Sequence, residues 1–224
     1  MKKESRNTLI GVTIFAIAMG FLEAVVVIYL RKIYYPNGFS FPLKGFLSPE
    51  IIGIEWVREI ATIIMLLAVG YLAGKKLYEK FAYFIYTFAI WDIFYYVFLK
   101  ITLAWPQSLF TWDLLFLIPW AWAGPVITPI LSSLLLITMA LLIIHFNDKG
   151  KKVIISRKEW TFLIIGVVFA VYTWLYDSGK IIFNNLDAAT YVPTSYNWAL
   201  FLLGVIAVSA GILMFYLRNK NSKK

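Results

Sequence analysis

The chain has 224 residues, of which 61% are hydrophobic, 18% aromatic and only 15% charged. A soluble domain is typically about 45–50% apolar and about 25% charged, so a soluble globular fold is excluded. The formal net charge is nonetheless +9; the lack of Cys excludes disulfides, thiolate metal sites and cysteine nucleophiles, and the single His145 excludes two-His metal motifs and bis-His haem ligation within the chain.

A membrane-spanning helix needs about 20 mostly apolar residues. On that measure the sequence predicts an all-α polytopic helical bundle, one transmembrane domain over residues 1–224, with six spans at about 8–30, 56–74, 81–99, 125–146, 160–176 and 196–217. The first span opens on Lys2 and Lys3, as a secretory leader does. Its apolar stretch is longer than a leader's and runs into Arg31 and Lys32 rather than a small-residue cleavage site, so it reads as an uncleaved helix. Ala16, Gly20 and Ala24 recur every four residues in it, a small-residue face for close helix packing that would also suit a membrane partner subunit.

The loop of about 31–55 holds Tyr34, Tyr35, Phe39, Phe41 and Phe46 with three prolines, and is expected to fold back as a lid. Ser48-Pro49-Glu50 reads as a helix start: a capping hydroxyl, a proline in the first turn and an acid near the positive helix end. Glu55 and Arg58 are i,i+3 neighbours able to pair. The charge-free stretch that follows, Ile60 to Ala73, is short for a bilayer core, so Glu59 is drawn below the interface.

Between the third and fourth spans, about 108–123 is apolar but short. It is expected to be a re-entrant or interfacial helix ending at Gly124-Pro125, or else part of one long kinked fourth helix. Pro119, Gly124, Pro125 and Pro129 mark either a break of the kind that lines cavities in transporters or an ordinary interfacial turn, which also favours Gly-Pro. Ser156 and Glu159 form a capping box opening the fifth span.

The basic residues give an orientation. Lys2, Lys3 and Arg6, then Lys75, Lys76 and Lys80, then Lys149, Lys151, Lys152, Arg157 and Lys158, then Arg218, Lys220, Lys223 and Lys224 all fall on one side. Positive loops stay cytoplasmic, which places both termini inside a cytoplasmic (inner) membrane. The +9 thus reads as a topology signal, and no nucleic-acid partner is needed to explain it. Most Trp residues map to the outer boundary, as an interfacial belt.

Ionisable groups inside a span are costly, about 2.5–3.5 kcal/mol at mid-helix on insertion scales. Glu23, Glu59, Asp92 and Asp113 all map between the midplane and the outer face, and Asp92, Tyr96 and Lys100 share one helix face. One outward-facing polar cavity is the economical model. Glu23, Glu59, Asp92 and Asp113 would be its acidic ligands, Tyr96 a hydrogen-bonding wall and Lys100 the counter-charge. A small polar or ionic solute would bind or pass there, with no catalytic residue, metal or cofactor assigned. Purely structural pairing of the same charges is the competing explanation.

Two other activities stay in view: an enzyme acting on an outer-leaflet lipid or lipid-linked substrate, with the acids as general acid and base, and a non-catalytic assembly subunit. An aspartyl-protease dyad of Asp92 and Asp113 lacks the Gly-x-Gly-Asp context such membrane proteases carry.

Trp91-Asp-Ile-Phe-Tyr-Tyr96, Trp105-Pro106, Trp112-Asp113 and Gly124-Pro125 resemble segments of uncharacterised bacterial six-helix integral membrane proteins, a resemblance that implies no activity. The layout is also similar to the substrate-binding subunits of energy-coupling-factor vitamin transporters. That resemblance implies six helices, inside termini, a lid-like first outer loop and a small-residue face that docks a partner. It is architectural, and the Gly124-Pro125 break departs from it, so no substrate residue is carried over.

Overall fold

The structure, a computed structural model, describes residues 1–42, 49–183, 192, 193 and 195–221. Six helices form it: α1 (Lys3–Tyr34), α2 (Pro49–Ala73), α3 (Leu77–Leu103), α4 (Ile127–Asp148), α5 (Arg157–Phe183) and α6 (Trp198–Asn221). Five of them, all but α2, are long and apolar enough to cross a membrane, which marks the chain as a membrane protein. Lys44, Phe46, the Ser48 cap, Lys223 and Lys224 lie outside the described residues.

The helices pack as α1 on α3, α2 on α3, α3 on α4, and α5 on α6. Small residues set these contacts. Ala16, Gly20 and Ala24 are buried, and a Cβ on Gly20 would stand 3.0 Å from the Trp91 carbonyl of α3. The small-residue face is therefore packed within the chain against α3. It works as small-xxx-small faces do, by letting two backbones approach.

The segment expected as a helix at 108–123 is instead a β-hairpin. Strand β1 (Trp112–Phe116) pairs antiparallel with β2 (Trp122–Pro125). Asp113 faces Gly124, and a register irregularity lies between Leu114 and Phe116. Proline explains the correction. Pro119 and Pro125 have no N–H to donate, and each biases the residue before it toward extended backbone. A helix through this stretch would lose both its ladder and its geometry, whereas a short hairpin places Pro119 in the turn and Pro125 at a strand end. Apolar length alone does not separate the two readings.

The hairpin is anchored at β2. Trp122 stacks on Trp174 of α5 with ring centroids 5.7 Å apart. The Trp174 indole N–H donates to Thr128 Oγ1 at 2.8 Å, and that hydroxyl donates to the Pro125 carbonyl at 2.8 Å. Gly124 permits this approach, since a Cβ there would come within 2.9 Å of Trp174 Cδ1.

At the end of the bundle where α1 begins, the capping box at α5 is present. Ser156 N–H donates to Glu159 at 2.7 Å and Glu159 N–H to Ser156 Oγ at 3.3 Å. Glu159 also accepts two hydrogen bonds from Arg218 of α6, at 2.7 and 2.8 Å.

Candidate functional site

At the opposite end, α1, α2, α3 and the hairpin surround a cavity of about 90 Å³. Glu23, Glu59, Asp92, Tyr96 and Asp113 line it, together with Glu55, Arg31, Arg58 and Tyr95. Five of the six residues singled out from the sequence are thus brought to one space.

Lys100 is not among them. Its ammonium donates to the Pro106 carbonyl at 2.9 Å, closing the chain just beyond α3 rather than meeting the acids. The counter-charges are Arg31 and Arg58. Sequence spacing put Lys100 two turns from Asp92 on one face, but a two-turn offset along a helix is a distance of about 12 Å, and local carbonyls satisfy the ammonium first.

Arg58 sits at the centre of the first charge cluster. Its Nη1 donates to both oxygens of Glu23, at 2.5 and 2.6 Å. Its Nε and Nη2 donate to Glu55 at 2.9 and 2.6 Å. Glu59 stays 4.0 Å from the guanidinium and instead accepts the Leu117 backbone N–H at 3.0 Å. That donor exists because the hairpin leaves Leu117 N–H outside any helical ladder; in a helix it would already be committed to a carbonyl four residues back.

Arg31 carries the second cluster. Its Nη2 donates to Asp113 at 2.8 Å, and both side chains are almost fully buried. The guanidinium lies 3.7 Å from the Trp105 ring centroid and 4.4 Å from that of Phe39, within cation–π range. Phe39 and Tyr35, from the aromatic loop after α1, help form the cavity wall.

Asp92 is held differently. Its Oδ2 accepts the Ser133 hydroxyl of α4 at 2.8 Å. Asp92 and Asp113 therefore have distinct partners, one a neutral hydroxyl and the other a guanidinium.

Among the described residues, three buried polar atoms on cavity-lining residues have no hydrogen-bond partner: the donors Arg31 Nη1 and Trp91 Nε1 and the acceptor Asp113 Oδ2. Glu23, Glu55, Glu59, Asp92 and Asp113 face two guanidiniums around one cavity. Among the described residues no group of three or more His, Cys, Asp or Glu is arranged to hold a metal ion. Glu23, Glu55 and Glu59 gather about Arg58, while Asp113 meets Arg31 and Asp92 meets Ser133.

Arg31, Tyr95 and Ser133 were not singled out from the sequence, and Glu55 only as a helical partner for Arg58. Arg31 resembled an ordinary interfacial flank of the first span. Ser133 had a weak signal, as one of two adjacent hydroxyls in an apolar run. The Leu117 amide left no side-chain signature at all.

Comparison with protein-family models, curated proteins and solved structures finds no match to this chain. The class that the fold and cavity define is a helical membrane protein with an acid-lined cavity.

Proposed function

We propose that this chain is a multi-pass protein of the cytoplasmic membrane that binds a small cationic solute in the acidic cavity. The observation that carries this reading is the excess, among the described residues, of five carboxylates over two guanidiniums around one space. Two of those carboxylates are held mainly by neutral donors, Glu59 by a backbone amide and Asp92 by a hydroxyl. An organic cation with N–H donors could take charge-assisted hydrogen bonds from both Glu59 and Asp92.

In this reading Glu59 and Asp92 contact the solute, Glu23 and Asp113 shape the field through Arg58 and Arg31, and Tyr96 forms the wall. α2 is a sixth crossing whose charged first half lies below the outer interface, and both termini are cytoplasmic. The fifteen basic residues clustered on one side support that orientation. The chain has no native Cys, so single cysteines placed at Asn37 and Asn221 would report it: Asn37 should label from outside and Asn221 only after permeabilisation.

The binding test uses the purified protein in nanodiscs with methylammonium, guanidinium, Na⁺ and acetate as probes. Methylammonium or guanidinium should raise the melting temperature saturably, and acetate should not. Asp92→Asn and Glu59→Gln should each weaken that binding about tenfold while the protein still folds. If no cation binds the wild-type protein, or if both folded variants bind as tightly as wild type, the reading is wrong.

A further inference from the structure

A second cavity of about 410 Å³ lies against the first. Its walls are apolar, with Phe88, Leu136, Val167, Ala170, Trp174 and Val208 contributed by α3, α4, α5 and α6. Trp91, Asp92, Leu115 and Phe116 line both cavities. Asp92 thus stands where a small acidic space meets a larger apolar one. The wall on the α5–α6 side is tightly packed: a Cβ on Gly166 would lie 2.6 Å from the Gly204 carbonyl, and one on Gly204 2.9 Å from the Gly166 carbonyl.

Volume and charge together describe an occupant. At roughly 30 Å³ per water-sized group, the acidic cavity takes about three such groups and the apolar one about fourteen. Three groups match an amine head; fourteen match one hydrocarbon chain and fall well short of a two-chain lipid. A small solute alone would leave the apolar cavity unfilled. A sulfate or phosphate head would meet the carboxylate excess.

We propose that the ligand of this site is a single-chain amphiphile with a cationic amine head, its head among Glu59 and Asp92 and its chain in the apolar cavity. This rests on the cation reading of the acidic cavity and adds the substrate class to it.

The experiment is equilibrium binding of radiolabelled n-alkylammonium ions, from one to eighteen carbons, to the protein in nanodiscs. Empty nanodiscs are subtracted and affinities are expressed on free aqueous concentration. Affinity should rise about three- to fourfold per methylene, the gain for burying a CH₂, up to about fourteen carbons, and then level off. Matched alkyl sulfates should show no saturable binding. Ala170→Trp, which fills the apolar cavity away from the acids, should lower tetradecylammonium affinity at least a hundredfold and leave methylammonium unchanged.

Methylammonium binding with no dependence on chain length would overturn this proposal and leave the cation reading standing. Failure of methylammonium and of every longer amine would overturn both. Equal binding of alkyl sulfates would overturn the cationic head, and tight competition by two-chain lipids would overturn the single chain. The wild-type series decides the matter even if Ala170→Trp does not fold.

Discussion

Where α1 begins, Glu4 pairs with Lys75 at 2.5 Å, Asp148 accepts from Ser5 and from the Lys2 backbone N–H, and Glu159 accepts from Arg218. These acids sit at helix ends; Glu4 and its partner are exposed, whereas Glu159 is buried and takes two Arg218 bonds beside its own cap. Where α1 ends, Arg58 is shared by Glu23 and Glu55 with Glu59 close by, and Arg31 is sealed against Asp113 by aromatic rings. Among the described residues here, carboxylates outnumber guanidiniums, and the Arg31–Asp113 pair is almost fully buried. The difference separates two uses of charge in one membrane protein. The first end uses charge to close helix termini. The second concentrates unbalanced charge where desolvation is costly, and a fold keeps such an arrangement only with strong internal support.

Removing the shared cation should therefore do the most damage. Arg58→Met would leave Glu23, Glu55 and Glu59 facing one another, and breaking a buried pair in this way costs roughly 3–5 kcal/mol. The expected result is little or no folded protein by size-exclusion chromatography, with partial rescue by adding Glu23→Gln. An undiminished melting temperature for Arg58→Met alone would show that the cluster is not a buried unit. Arg31→Met should cost about as much and be partly rescued by Asp113→Asn.

Gly124→Val tests the support beneath the cavity. Its side chain would collide with Trp174, and overpacking of this kind costs about 1–3 kcal/mol. A lowered melting temperature together with weaker methylammonium binding would tie the hairpin seat to the site. A smaller effect is expected at the other end. Glu159→Gln loses charge-assisted bonds to the partly exposed Arg218 but keeps much of its capping role, for a loss of about 1 kcal/mol and unchanged cation binding. The smallest belongs to Glu4→Gln. Its exposed partner is screened by solvent, so the melting temperature should not move measurably.

The comparison also shows which parts of the molecule were legible in the chain. The capping box at Ser156 and Glu159 was, because a cap is local. So was the Glu55–Arg58 pair, because i,i+3 residues meet on any helix. That Glu59 would need a partner from elsewhere could also be read, but the partner itself could not. The hairpin at 112–125 was misread because an apolar run of this length suits either period, and only the prolines argued against a helix. Lys100 bonds to the Pro106 carbonyl away from the cavity, because a shared helix face fixes direction and not distance.

Composition and the spacing of apolar runs were enough to determine a helical membrane protein with acids placed where charge is expensive, because burying apolar surface and satisfying backbone hydrogen bonds inside each helix are properties of a single segment. Which guanidinium meets which carboxylate, that Leu117 presents a free amide to Glu59, and that an apolar cavity opens against Asp92 were decided only when α1, α2, α3 and the hairpin came together. Those contacts join residues far apart in the chain, and no local pattern encodes the distance between them.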